Sequence, residues 1–138
     1  SPTLSQLKKI PLIQYTERQH KGRMIGGHLA RHNVRLDRRF EIDNYHAIMA
    51  MVADGIGWSI LTPLGWHRAE RFQGEVDLVP LPIDPLERRI SLKARVDLLK
   101  DMPKATAAAL RFVVGDQIVG PVNTRWPWLT DEFQVLDR

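Results

Sequence analysis

The stretch DNYHAIMAMVADGIGWSILTP, residues 43–63, contains a helical pattern, two closely spaced glycines and a Thr-Pro pair. Four of its apolar residues stand at i, i+3, i+4 and i+7, which places them on one helix face; they are Tyr45, Ile48, Met49 and Val52. Asp43 or Asn44 can cap the start of such a helix, and Gly55 can end it in the left-handed conformation that glycine tolerates. The first half of the stretch is therefore predicted to be helical.

The second half predicts a strand followed by a short helix. Residues 56–61 form a mostly apolar run, and Gly57 permits a close backbone approach where the chain enters a sheet. Thr62 is a favourable N-cap and Pro63 a favourable first helical residue. A dinucleotide-binding loop requires the order strand, glycines, helix. Since the order here is helix, glycines, strand, the sequence excludes such a loop at this place.

Composition limits the functional classes. The chain has 138 residues, 43% of them hydrophobic, which suits one globular domain with a real core. It has no cysteine, which excludes a disulfide scaffold, a thiolate nucleophile and a cysteine-type zinc site. The net charge of +4 comes from scattered basic residues without an aromatic-interleaved tract, so direct nucleic-acid binding is not indicated. No apolar run is long enough to cross a membrane.

The remaining patterns alternate between strands and helices. Short apolar or alternating runs predict strands at 10–15, 38–43, 76–81 and 88–96. Helical spacing predicts helices at 20–33 and from Pro103 onward, whereas the tail 120–138 lacks clear periodicity. The predicted fold class is α/β, with a Rossmann-like, mostly parallel sheet flanked by helices.

In such a sheet, ligands bind at the carboxyl ends of the strands, where helix N-termini offer free N–H groups and a partial positive charge. Six residues lie at the predicted strand ends and are the candidate binding residues: Tyr15, Thr16, Asn44, Leu61, Thr62 and Pro63. The expected ligand is a small anion such as a carboxylate. Asp43 would repel it, so we expect its side chain to cap a helix or to turn away.

Other chemistry is weakly indicated. His28 and His32 are spaced i, i+4 and could share a metal, but a solvated helix face is the favoured interpretation. No nucleophile and base stand at motif spacing. The sequence therefore predicts no catalytic site, no metal and no cofactor.

Three segments carry a family resemblance: SPTLSQLKKIPLIQY at 1–15, FEIDNYHAIMAMVADGIGWSILTP at 40–63, and VPLPIDPLERRISLKARVDLL at 79–99. Together they resemble the effector-binding domain of LysR-type bacterial transcriptional regulators, over about residues 1–119. The resemblance implies a type 2 periplasmic-binding-protein architecture. In it, two α/β subdomains are joined by two crossing strands, and a small effector lies in the cleft between them.

The resemblance also implies a domain division and partners. Residues 1–98 would form the second subdomain with its crossover strands, and residues 99–138 would form a helix and tail of an incomplete first subdomain. It further implies a cytoplasmic, non-catalytic homo-oligomer, a dimer or tetramer, that reaches DNA only through a helix-turn-helix missing from these residues. Two alternatives stay open: a periplasmic solute-binding protein of the same architecture, which an upstream secretion signal would favour, and a small α/β enzyme acting on an anionic substrate.

Overall fold

The computed structural model describes residues 1–37, 39–97 and 100–137. The chain forms two compact units, Ser1–Glu87 and Arg88–Arg138. The boundary expected from the sequence falls at residues 98 and 99, which lie outside the described residues. The observed division by compactness comes earlier in the chain, and the assignment of 1–98 and 99–138 to two subdomains stays a prediction.

The first unit is built on a parallel pair of strands. Strand β1 (Leu12–Tyr15) pairs with β2 (Arg39–Ile42), with Leu12 opposite Arg39 and Tyr15 opposite Ile42. Every residue of β1 is buried, as expected for a short apolar run in the interior of a sheet. These strands confirm the predictions for 10–15 and 38–43.

Four helices surround this pair: α1 (Leu4–Leu7), α2 (His20–Arg31), α3 (Tyr45–Ala53) and α4 (Pro63–Arg68), the last followed by a 3₁₀ turn at Glu70–Phe72. The helix ends follow the capping chemistry of the sequence. Asn44 caps α3 and Thr62 caps α4, while Gly55, with φ of 75°, follows the end of α3. Helix α1 was not predicted; Thr3 and Gln6 form a capping box at its start.

The two faces of β1 pack against different helices. Leu12 belongs to a buried cluster with Ile25 and Leu29 of α2, while Ile13 belongs to a cluster with Ile48 of α3. Alternation along the strand therefore places α2 and α3 on opposite faces of the sheet. This helix–sheet–helix layering confirms the predicted α/β class.

The predicted strand at 56–61 is reduced to one bridge. The N–H of Ile13 donates to Trp58 O at 2.8 Å, and the N–H of Trp58 donates to Pro11 O at 3.0 Å. After Trp58 the chain leaves β1 and leads into the capped start of α4. The segment thus touches the free side of β1, which makes β1 the central element of the sheet, but it is too briefly paired to form a strand.

Two further strand predictions were wrong. Residues 76–81 and 88–96 adopt neither strand nor helix. Pro80 removes a backbone donor from the first segment, and Pro82 follows it directly. Residues 88–96 keep their alternation, but their apolar side chains Ile90 and Val96 are exposed, and the described residues of the second unit contain no strand that could pair with them.

The second unit is mostly helical. Helix α5 (Met102–Val114) confirms the prediction from Pro103, and it runs through a π-helical turn at Gly115–Val119 into α6 (Gly120–Arg125), followed by a 3₁₀ turn at Pro127–Leu129. The helical start of the tail was missed because no apolar periodicity marks it. Val122 is nevertheless fully buried, and the amide of Asn123 donates to Phe133 O at 3.1 Å, which ties the tail back onto α6.

Candidate ligand-binding site

The carboxyl ends of β1 and β2 lie side by side because the strands are parallel and Tyr15 is opposite Ile42. The next residues along each chain segment are joined: the hydroxyl of Thr16 donates to Asp43 Oδ1 at 2.7 Å. The side-chain amide of Gln19 donates to the backbone oxygen of Asp43 at 3.0 Å. We call this place the strand-end edge. It consists of Thr16, residues 43–45 and residues 62–65 at the start of α4.

The expectation for Asp43 was wrong. Asn44, and not Asp43, caps α3, and the Asp43 carboxylate is turned toward Thr16, one of the predicted anion-binding residues. The reason is that the parallel pairing brings the Thr16 hydroxyl next to Asp43, and a hydroxyl is a good partner for a carboxylate. A negative charge therefore lies inside the predicted anion site.

Asn44 and Thr62 both serve as helix caps. Asn44 Oδ1 accepts the N–H of Ala47 at 3.1 Å, and Thr62 Oγ1 accepts the N–H of Gly65 at 3.1 Å. Each side chain keeps a donor that the cap does not use, the amide NH₂ of Asn44 and the hydroxyl hydrogen of Thr62. Both residues can therefore cap a helix and still donate to a ligand.

The start of α4 is attached to the start of α3. The hydroxyl of Tyr45 donates a hydrogen bond to the carbonyl oxygen of Gly65. Because Tyr45 follows Asn44 and Gly65 lies in the first turn after Thr62, this bond brings the two capping residues to the same region. Leu61 and Pro63, both half-buried, flank Thr62 there. The structure thus places Thr16 beside residues 43 and 44, and Tyr45 next to the first turn of α4.

Tyr15 is mainly a core residue, since it is buried in the cluster with Ile13 and Ile48. Burial raises the pKa of Tyr15, and the positive charge of Arg68 partly opposes this. Burial also raises the pKa of Tyr45 to about 12, with a further contribution from Tyr15 and again a lowering by Arg68. Both phenols are therefore neutral at physiological pH, and Arg68 lies close enough to influence both.

Two residues at this edge have roles that the sequence did not reveal. A Cβ added at Gly22 would overlap Thr16 O and would lie 2.7 Å from Tyr15 O. The first turn of α2 therefore packs directly against the backbone at the end of β1. The ammonium of Lys21 lies 5.3 Å from the centre of the Tyr15 ring. The sequence could have indicated this close packing, because Gly22 stands in the first turn of a helix that follows a buried strand, a position where close helix–strand packing requires glycine.

A separate cavity of about 430 Å³ lies along α2 and the loop that follows it. Its lining includes Glu17, Leu29, Arg35 and Arg39, and none of the six predicted binding residues. The strand-end edge is an open surface in the first unit by comparison. The polar groups and helix starts described above converge at the edge and not in the cavity, whose charged lining residues belong to β2 and the loops beside α2.

The expectation of a solvated face at His28 and His32 was wrong for His28, which is only 6% exposed. His28 Nε2 lies 2.7 Å from the backbone oxygen of Asp84, so this nitrogen carries the proton and donates. His32 faces two acceptors, with Nδ1 2.9 Å from His28 O and Nε2 3.2 Å from Asp84 Oδ2. Two acceptors can be satisfied only when both ring nitrogens carry hydrogen, which is the charged imidazolium.

We expect this histidine cluster to make stability depend on pH. The hydrogen bond to His28 O raises the pKa of His32, the Asp84 hydrogen bond and charge raise it further, and desolvation and Arg31 oppose the rise. Because the pKa of His32 is higher in the folded state, protonation of His32 stabilises the fold. This contribution is complete below the unfolded pKa of about 6.5, and it is lost as pH rises through the folded pKa. The melting temperature of His32→Gln should therefore fall below wild type more at pH 5.5 than at pH 8.

The same comparison with His20→Gln, an exposed histidine outside the cluster, controls for the general effect of removing an imidazole. An NMR titration of His32 should show its pKa moving down in Asp84→Asn. Equal losses for His32→Gln at both pH values would contradict the proposed contacts.

A small parallel sheet lies between helices, with polar side chains and two capped helix starts gathered at its carboxyl edge, the place where α/β proteins commonly bind ligands. The LysR substrate binding domain family model matches residues 1–114. The chain therefore belongs to the LysR substrate-binding-domain family, whose members are effector-binding domains of transcriptional regulators with a periplasmic-binding-protein-like fold. Neither the curated proteins nor the solved structures gave a match.

Two searches of the described residues were negative. Across 1–37, 39–97 and 100–137, no three His, Cys, Asp or Glu side chains are grouped so that they could hold a metal ion. No helix among those residues is both long and apolar enough to pass through a bilayer.

Proposed function

We propose that this chain is the effector-sensing part of a cytoplasmic LysR-type transcription regulator, without catalytic activity. The family match over residues 1–114 is the observation that carries this proposal. In it, effector binding changes DNA binding by another part of the regulator, a helix-turn-helix outside residues 1–138. The basic residues of this chain do not need to contact DNA.

The proposed effector site is the strand-end edge. Thr16, Asn44 and Thr62 supply polar groups, and the first turns of α3 and α4 supply backbone N–H groups. Tyr15, Leu61 and Pro63 complete the six residues proposed to line it. A carboxylate of the effector would accept hydrogen bonds from the Thr62 hydroxyl, the Asn44 amide and the free helix N–H groups.

The finer architecture is also a proposal. We infer that residues 1–98 belong to the second subdomain of a type 2 binding-protein fold with a Rossmann-like sheet, and residues 99–138 to the first. The family match over residues 1–114 supports this architecture, because it spans all of the first part and continues into the second.

The site proposal predicts the effect of removing each polar group in the full regulator. Thr62→Val keeps the side-chain shape but removes the hydroxyl, so effector binding should weaken by about 1–2 kcal/mol. Thr16→Val and Asn44→Ala should also weaken it. Affinity is measured by isothermal titration calorimetry, with an effector found by thermal-shift screening of small carboxylates.

A matched control separates binding from helix capping. Thr3 caps α1 through its hydroxyl, as Thr62 caps α4, but it lies at another helix. Thr3→Val should lower stability through the lost cap, by about 0.5–2 kcal/mol, and leave effector affinity unchanged. Unchanged affinity in all three site variants would show that the effector binds elsewhere.

We further propose that the chain is a homo-oligomer, a dimer or tetramer. The second unit exposes large apolar side chains, and such surfaces are usually covered by another molecule; they are Ile90, Leu92, Val96, Met102, Leu110, Phe112 and Val113. Light scattering should give a mass above that of the monomer, which Phe112→Lys reduces and the charge-matched Thr106→Lys does not. A monodisperse wild-type monomer over a wide concentration range would contradict this.

A further inference from the structure

The Asp43 carboxylate is held in a defined place at the strand-end edge. Its Oδ1 accepts the Thr16 hydroxyl at 2.7 Å, and its backbone oxygen accepts the Gln19 amide at 3.0 Å. Within the part of the chain that the structure describes, neither a hydrogen bond nor an ion pair engages Oδ2. A fixed, exposed carboxylate oxygen is therefore available to a ligand.

Positive charge lies at the same edge but is not paired with Asp43. The Lys21 ammonium is 5.3 Å from the ring centre of Tyr15, the residue before Thr16. Among the described residues, no ion pair joins Asp43 to Lys21. The edge thus presents an anion and a cation that do not neutralise each other through direct contact.

A ligand with only a carboxylate fits this charge pattern poorly. It gains from the Lys21 ammonium and from the side-chain donors of Asn44 and Thr62, but it meets the Asp43 charge next to Thr16, and like charges in a binding interface disfavour a partner. A ligand with an ammonium near its carboxylate avoids that repulsion and forms a charge-assisted hydrogen bond with Asp43 Oδ2. Asp43 then discriminates between two otherwise similar molecules.

We propose that Asp43 determines effector specificity and that the effector is an amino carboxylate, a zwitterion with an ammonium close to its carboxylate. This rests on the proposed function and replaces the simple anion expected from the sequence. In the complex, the ammonium donates to Asp43 Oδ2, while the carboxylate lies toward the side-chain donors of Asn44 and Thr62. Thr16 is a positioning residue, since its hydroxyl holds the Asp43 carboxylate in place.

The test uses the full regulator and matched probes. Each standard L-amino acid is compared with the carboxylic acid of the same carbon skeleton that lacks the amino group, first by thermal shift and then by calorimetry. For at least one pair, wild type should bind the amino form more tightly by about tenfold or more. Asp43→Asn should reduce that ratio to near one, because the amide still accepts the Thr16 hydroxyl but no longer carries charge.

The control is Asp77→Asn, which removes an exposed carboxylate of the same unit away from the edge and should leave the ratio unchanged. Preference of wild type for the form without the amino group, or an unchanged ratio in Asp43→Asn, overturns the role of Asp43 while the effector-sensing function stands. If a pair of probes binds and its affinities are unchanged in Thr16→Val, Asn44→Ala, Thr62→Val and Asp43→Asn, the effector does not bind at the strand-end edge. If no probe of either kind binds, the zwitterion class and the proposed sensing of small carboxylates both fail.

Discussion

Replacing Ile48 with alanine should lower the free energy of unfolding by about 2–5 kcal/mol. Ile48 is only 1% exposed and packs with Ile13 and Tyr15, where α3 meets β1. Truncation removes buried methyl and methylene groups and leaves a cavity between an anchored strand and a helix that is capped at its start. Chemical denaturation followed by circular dichroism measures the change.

A second isoleucine of the same unit provides the matched control. Ile56 is 42% exposed, so Ile56→Ala should cost much less than Ile48→Ala. The damage should also reach the ligand site, because α3 carries Asn44 at its start. Similar losses for the two variants would show that α3 does not pack on β1 as described.

Replacing Gly22 with alanine should destabilise the protein by about 1–3 kcal/mol, although alanine is normally the better helix former. The added methyl would overlap the carbonyl oxygen of Thr16, so either α2 or the end of β1 has to move. Movement of the strand end would displace the Thr16 hydroxyl from Asp43. Gly22→Ala should therefore reduce effector affinity as well as thermal stability.

Gly27 lies in the same helix and gives the opposite expectation. A Cβ at Gly27 has its nearest contact at 3.4 Å, with the flexible end of the Arg31 side chain. Gly27→Ala should therefore be neutral or stabilise by up to about 1 kcal/mol. If Gly22→Ala behaved like Gly27→Ala, the close approach between α2 and β1 would be refuted.

The sequence predicted the features that depend on neighbouring residues. Asn44, Thr62 and Gly55 act within three or four residues of the helix ends they define, so local chemistry was sufficient. The α/β class followed from the alternation of strand and helix patterns. The rule that parallel strands end at one edge of a sheet predicted that Thr16 would lie near residues 43 and 44, and the pairing of β1 with β2 brings Thr16 to Asp43.

The features that failed depend on residues far apart in the chain. The hydrogen bond between Thr16 and Asp43 spans 27 positions, and burial of His28 against Asp84 spans 56. Residues 88–96 have a good strand pattern, but a strand also requires a partner, and no pattern within the segment shows where that partner lies. Sequence periodicity therefore predicted which residues follow the strands, but not that the Asp43 carboxylate would turn toward Thr16.

The position of β1 between β2 and Trp58 has a consequence for how copies of this chain meet. Among the residues that the structure describes, no strand pairs with the outer side of β2, and unpaired strand edges can recruit strands of other molecules. This edge is four residues long and carries two charged side chains, Arg39 and Glu41, both exposed. Short, charged edges oppose continuation of a sheet from one molecule to the next. We therefore expect copies of this chain to associate through side-chain packing. We do not expect their oligomers to extend into cross-β fibrils, as an uncharged strand edge would favour.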